Sequence, residues 1–305
     1  MSVMVLGSIN MDLTTYVHKL PKVGETLQGS SYITVPGGKG NNQAVAAARL
    51  GAKTQFIGRV GEDVFGQQVL DIVAAEHVDV SQVIKDPQNR TGIAVISVEE
   101  SADNVIIIIS GANFALDGSD VERAKAHMDS AKVLLLQLEV PAEVSLAGAV
   151  AAREKGLTVI FDPAPATHMP EEAYQHIDFI TPNEIETEML VGILPENQQD
   201  AARAASILRE KGVRTAIIKM GAKGAFFDGP EVSGFVPAFK VKAIDTVAAG
   251  DAFNAGLAVA LVEGKNIPEA VRWGAAAGAI ATTRQGAMPA MPYRDELLKL
   301  LDEQP

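Results

Sequence analysis

The run Thr246-Val247-Ala248-Ala249-Gly250-Asp251 places a carboxylate at the head of Ala252–Val262, a segment with no charge and one strongly polar side chain, Asn254. A helix that is apolar all round must be buried, so the free N–H groups of its first turn point into the interior or a cleft. Small residues at Ala248, Ala249 and Gly250 let an anion approach those groups closely. An acid at Asp251 is favoured there in its ionised form. It could accept a hydroxyl proton while the backbone N–H groups meet charge developing on phosphoryl oxygens. A helix cap is the simpler use of Asp at such a position, although a cap does not need the Ala-Ala-Gly run before it.

A second constellation is Gly37-Gly38-Lys39-Gly40-Asn41-Asn42-Gln43-Ala44, which opens a helix over Ala44–Leu50 that stops at Gly51. It sets a cation and amides at the mouth of a glycine turn. It is not a P-loop, because Lys39 is followed by Gly, and not a dinucleotide fingerprint, because Gln43 stands where the third glycine belongs. A glycine hinge before an ordinary helix explains it as well. In Gly7-Ser8-Ile9-Asn10-Met11-Asp12, at the end of the first strand, Asn10 and Asp12 share a face at period two and could grip vicinal hydroxyls; a turn would also account for them. Asn183 and Glu186 could face Mg²⁺ and phosphates, or form a capping box that needs no ligand. Gly221 and Gly224 could approach a nucleotide or form a turn. The histidines show no metal-ligand spacing.

The elements that must position these residues read as α/β. Strands are expected at Val3–Ile9, Thr54–Val60, Lys132–Leu138, Leu157–Asp162 and Arg214–Met220, with amphipathic helices at Glu143–Lys155 and Ala201–Lys211. Near-continuous apolar strands separated by helices predict a mainly parallel sheet covered on both faces, with ligands beyond the carboxyl ends of its strands. Two segments break the rhythm: residues 13–36, with a strand at Ser31–Val35, and residues 91–110, a hairpin of Ile93–Val98 and Val105–Ile109 joined by Glu99–Asn104. Val105–Ile109 is apolar on both faces, so both are expected to be covered. An edge hairpin on the core is one explanation. A small sheet over the site that pairs with another subunit is the favoured one. The expectation is one domain over residues 1–305 with an inserted β lid.

The 305 residues carry 26 Lys plus Arg against 38 Asp plus Glu, a net charge of −12. So acidic a surface repels phosphodiester backbones and anionic lipid, so neither nucleic acid nor membrane is an expected partner. Cysteine is absent, which excludes disulfides and thiolate metal sites. The N-terminus reads as a strand, not a signal peptide, and no apolar run reaches the ~18 residues of a membrane span. A cytoplasmic location follows as the expectation, and the Asn89-Arg90-Thr91 sequon is read as accidental.

Taken together and in order, these motifs resemble the ribokinase family of carbohydrate kinases, from Gly7 to about Arg294, with GGKGxNQA at residues 37–44 and DTxAAGD at 245–251 as signatures. The resemblance implies a three-layer α/β/α fold with a mainly parallel sheet and a small β-sheet lid that forms a homodimer contact. It implies ATP-dependent phosphorylation of a sugar's primary hydroxyl, ribose first and 2-deoxyribose or another sugar or nucleoside next. Asp251 would be the base, with Ala249 and Gly250 N–H groups in the anion hole. Asn10, Asp12, Gly38, Lys39, Asn42 and Glu139 would hold the sugar. Asn183, Glu186, Lys219, Gly221, Gly224 and Gly250 would serve the nucleotide and Mg²⁺, with Lys219 standing where ribokinases often carry a smaller polar residue. Asp245 and the carbonyls of Val247, Ala281, Arg284 and Gly286 would bind K⁺, although Ala290 replaces a typical serine ligand. A non-catalytic sugar sensor is the alternative from another class, and a nicotinamide oxidoreductase is disfavoured by the failed fingerprint.

Overall fold

The computed structural model describes residues 2–101 and 103–304. Met1, Pro305 and Ala102, the last in the turn expected within the hairpin, lie outside the described residues. In chain order the elements are β1 (Ser2–Leu6), β2 (Asn10–Val17), β3 (Ser31–Gly37), α1 (Lys39–Arg49), β4 (Lys53–Gly61), α2 (Val64–Ala75), β5 (Val78–Asp86), β6 (Gly92–Glu99) and β7 (Asn104–Ile109). There follow α3 (Gly118–His127), β8 (Val133–Leu136), α4 (Ala142–Glu154), β9 (Thr158–Phe161), β10 (Phe179–Ile180), α5 (Glu184–Val191), α6 (Gln198–Glu210) and β11 (Thr215–Lys219). The chain closes with β12 (Gly224–Asp228), β13 (Ser233–Pro237), α7 (Ala249–Val262), α8 (Ile267–Ala281) and α9 (Arg294–Glu303).

The large sheet has the order β13-β12-β11-β10-β9-β8-β1-β4-β5. It is parallel from β11 to β5, and β12 and β13 add an antiparallel edge. Its central strands β1, β8 and β9 are apolar apart from Ser2 and Thr158 at their starts, because both faces are covered. Val3 and Val5 of β1 and Val133 and Leu135 of β8 enter one core cluster, with α1, α7 and α8. Met4, Leu6, Leu134 and Leu136 enter the other, with α3, α4 and α6. The two wings of the sheet diverge at β1 and β8, the kind of switch point that leaves a crevice beyond the strand ends. Gly7–Asp12 leaves β1 at that crevice and Gln137–Glu139 leaves β8 there.

A second, smaller sheet has the order β3-β2-β6-β7. It starts at Asn10, earlier than the expected residue 13, because the chain leaves β1 after Leu6 and resumes as a new strand. The sequence signal of β2 is broken by Thr14, which is buried, and Thr15, which is partly exposed, on a sheet that is covered unevenly along its length. Expected coverage of both faces of Val105–Ile109 is not met within the chain: these side chains are between 49% and 58% exposed. The strand is an edge of the small sheet and, among the described residues, pairs only with β6, which leaves its outer side without a neighbouring strand. Among the described residues no helix is long and apolar enough to cross a membrane.

Candidate functional site

The glycine-rich segment and the first β-strand's exit loop interlock at the crevice. Gly38 adopts φ 89° before α1, and a Cβ on it would stand 3.0 Å from the Asn10 nitrogen. Gly37 lies against Asp12: a Cβ there would meet Asp12 Oδ2 at 2.1 Å, so only glycine leaves room for that carboxylate. The Lys39 N–H donates to Glu139 Oε2 at 2.9 Å, and Ser8 Oγ donates to the same oxygen at 2.6 Å. Asn10 is fixed by Asn113, whose Nδ2 donates to Asn10 Oδ1 at 2.7 Å and whose side chain also pairs with both backbone groups of Ile9.

Asp251 sits in the first turn of α7, 3% exposed. Its carboxylate accepts from Asn42 Nδ2 and from Gln43 Nε2, each at 3.0 Å. α7 is buried on nearly all sides, as its apolar sequence requires. Ala248 before it is left-handed at φ 58°, a conformation that costs an alanine about 1–2 kcal/mol. This turn opens the first N–H groups. Those of Gly250 and Asp251 make no hydrogen bond among the described residues, whereas that of Ala249 donates to Thr246 O at 3.3 Å. The free pair is therefore displaced by one residue from the expected Ala249 and Gly250.

Charge in the cleft is unevenly shared. Burial raises the Asp251 carboxyl to about 6, opposed by Lys39, reinforced by Asp162 and lowered again by the Asn42 and Gln43 amides. Burial and then Glu139 push Asp12 up to about 7. Burial also raises Glu186, with Lys219 opposing it. Burial would lower the Lys39 ammonium, but Asp251, Asp162, Glu139 and Glu186 hold it well above the ordinary lysine range. Among the buried acceptors of the described residues that have no donor are Asp12 Oδ1 and Asn42 Oδ1. Hydroxyl hydrogens of a ligand would satisfy both, since an unpaired buried acceptor costs about 1–3 kcal/mol.

On the other side of the crevice, Asn183 and Glu186 do form a capping box, with Glu186 Oε2 accepting from Asn183 N at 2.8 Å and Glu186 N donating to Asn183 Oδ1 at 2.8 Å. Glu186 is buried and interacts with the charges of Lys219, Lys39 and Asp162, so the capping box stands among the charged groups of the cleft. Lys219, at the end of β11, donates to Asp162 Oδ1 at 3.2 Å. Gly221 lies beside Glu184. Gly224 is needed for another reason than a ligand: a Cβ there would meet Val236 O at 2.1 Å, so it permits the β12–β13 pairing. Among the described residues no cluster of His, Asp and Glu forms a self-sufficient metal cage. A magnesium ion would have to take most of its ligands from phosphates and water.

Asp245 ties two loops together, accepting from Val247 N at 3.0 Å and from Gly286 N at 2.9 Å. The carbonyls of Val247, Arg284 and Gly286 accept no backbone hydrogen bond among the described residues, and that of Ala281 accepts a long one from Arg284 N at 3.4 Å. Unclaimed carbonyls suit a weakly hydrated monovalent cation. Ala290 is buried in a short 3-10 turn and offers no side-chain oxygen.

Several positioning residues were not singled out from the sequence. Gln43 is one letter of a motif, yet it donates to both Asp251 and Asp162 and accepts from Gln137. Asp162 could have been noticed: it ends an apolar parallel strand where ligands gather. Asn113 lies in a 3-10 turn that carries no periodic signal.

Residues 1–294 match the pfkB family of carbohydrate kinases. A ribokinase of Haemophilus influenzae is 43% identical over 298 residues, 98% of this chain and 97% of the relative. A deoxyribokinase of Salmonella typhi is 35% identical over 302 residues, 99% of each chain. The structure of Arabidopsis thaliana ribokinase complexed with ribose and ATP superposes with a TM-score of 0.91 at 34% identity, covering 98% of each chain. Fold, motif order and full-length similarity agree, and the chain belongs to the pfkB family of carbohydrate kinases.

Proposed function

We propose that the chain is an ATP-dependent sugar kinase that phosphorylates the 5-hydroxyl of D-ribose to give ribose 5-phosphate. The observation that carries this reading is the buried Asp251 carboxylate, its proton affinity raised toward neutrality, beside the free N–H groups of Gly250 and Asp251. Asp251 takes the hydroxyl proton as the sugar oxygen attacks the γ-phosphorus in line, and the two N–H groups stabilise the oxygens of the transferring group. Asn10, Asp12, Gly38, Lys39, Asn42 and Glu139 hold the sugar, and the orphaned acceptors on Asp12 and Asn42 receive its hydroxyl hydrogens. Asn183, Glu186, Lys219 and Gly221 border the nucleotide, while Gly224 shapes the strand turn beside it. Mg²⁺, when bound with ATP near Glu186, would neutralise phosphate charge in a cleft that is rich in carboxylates. Asp245 with the carbonyls of Val247, Ala281, Arg284 and Gly286 holds K⁺, with weaker stimulation because Ala290 supplies no oxygen.

The small sheet serves as an inserted lid of a single domain, and its exposed β7 pairs with a second copy to give a homodimer. Dependence on ATP fits a cytoplasmic enzyme. A second reading, 2-deoxyribose as substrate, is favoured by the similarity to a deoxyribokinase. ADP release in the presence of pentoses, hexoses and nucleosides, with phosphorus NMR of the product, decides between them. The reading stands if ribose gives the highest kcat/KM and a 5-phosphate. ADP release that is independent of every sugar overturns it.

A further inference from the structure

Lys219 brings a full positive charge to the mouth of α7, and bordering the nucleotide does not explain its placement. Its ammonium, on a side chain 13% exposed, donates to Asp162 Oδ1 at 3.2 Å. The same nitrogen lies 3.1 Å from where a Cβ on Gly250 would stand. Gly250 is one of the two residues at this turn whose N–H makes no hydrogen bond among the described residues, so an anion that reaches this N–H also meets the ammonium. Asp162 is 2% exposed. Its other oxygen accepts from Gln43 Nε2 at 3.1 Å, the amide that donates to Asp251 Oδ1 at 3.0 Å. A polar chain Lys219–Asp162–Gln43–Asp251 thus joins the anion-binding turn to the proton acceptor.

A buried ion pair is weak evidence for a stabilising role, because desolvation offsets much of the attraction. An ammonium has three donors, and among the described residues Asp162 is the acceptor that engages this one. The nitrogen itself lies beside the bare backbone of Gly250, where a side chain would crowd it.

We propose that Lys219 is a catalytic residue of the phosphoryl transfer, its ammonium stabilising charge on the moving group, and that Asp162 is the positioning residue that keeps it over Gly250. The proposal rests on the kinase reading of the site. In the step, the bond from the γ-phosphorus to the oxygen bridging the β-phosphate breaks and its electron pair leaves on ADP. A bond from the sugar oxygen to that phosphorus forms, and the hydroxyl proton passes to Asp251. Lys219 keeps all its protons and acts by charge. The contact strengthens as the non-bridging oxygens move into the turn, so it favours the transition state over bound ATP.

Lys219→Met should lower kcat by ~10²–10³, leave KM for ATP within about threefold, and weaken binding of ADP with aluminium fluoride and ribose by a similar factor to the loss in kcat. Asp162→Asn, which keeps the charge but loosens it, should cost about tenfold in kcat. The double variant Lys219→Met with Asp162→Asn removes both charges of the pair and leaves neither without its partner, so it carries the test if the single lysine variant does not fold. A merely structural pair predicts that the double variant recovers turnover; the proposal predicts that it stays as slow as Lys219→Met. Full kcat in Lys219→Met, or recovery in the double variant, overturns the proposal. Wild-type protein without sugar-dependent ADP release would instead overturn the kinase reading itself.

Discussion

Replacing Asp251 by asparagine separates what the carboxylate does from what its burial costs. The two oxygens accept one amide hydrogen each, from Asn42 and Gln43 at 3.0 Å. Burial, only partly countered by Lys39 and those amides, raises the group from 3.8 to about 6. At about 1.4 kcal/mol for each tenfold in proton affinity, keeping the charge at pH 7 costs the folded state on the order of 3 kcal/mol. The folded value lies above the unfolded one, so this penalty is absent below about pH 4 and develops as pH rises through about 6. Asparagine escapes the penalty, but its amide nitrogen must confront one of the two donors, and leaving that donor unpaired costs about 1–3 kcal/mol. The two effects nearly cancel. Asp251→Asn should therefore lie within about 2 kcal/mol of wild type at pH 7, or roughly 4 °C in Tm, and should gain on wild type as pH rises from about 4 to about 6, with little further change above that. Turnover, followed by ADP release, should fall by ~10²–10⁴ because no group at that position takes the proton. Near wild-type kcat would refute the base assignment. Parallel stability curves across the pH range would refute the electrostatic reasoning.

For the wild type, kcat/KM for ribose should decline as pH falls through about 7 and then about 6, as Asp12 and Asp251 take up protons; a flat profile down to about pH 5 would contradict this. Asn113→Ala releases Asn10 and both backbone groups of Ile9, so it should cost about 1–3 kcal/mol in denaturant unfolding and raise KM for ribose while leaving KM for ATP alone. Ile107→Glu places a charge on the exposed β7 and should convert a dimer to a monomer in sedimentation velocity; an unchanged coefficient would count against pairing through that strand. Replacing K⁺ by a bulky tetraalkylammonium ion should lower kcat, and equal rates would remove the cation from the Asp245 loops.

The sequence makes the chemistry of this cleft more legible than its scaffolding. Motifs that carry glycine, amide and carboxylate at short spacing name Asn10, Asp12, Lys39, Asn42 and Asp251, because local backbone demands leave a local signature. Asn113 and Asp162 reach the same cleft from elements far away in the chain, and their roles exist only once the strands are ordered. Strands with both faces covered, such as β1 and β8, announce themselves by unbroken apolar runs. β2, with one face half covered, does not. β7 looks like a core strand for the same reason that β1 does, and only its place at a sheet edge shows that its apolar faces lack cover within the chain.

Only Gly7, Ser8 and Ile9 separate β1 from β2, and this short span has a mechanical consequence. One end is anchored in the rigid floor of the molecule and the other carries Asn10 and Asp12 into the smaller sheet. Tilting that sheet swings both side chains relative to Asp251, which stays with the floor. On the lid reading proposed above, grip on the sugar and the attitude of the flap are a single degree of freedom, so a disturbance at the far tip of the flap would register as altered ribose affinity.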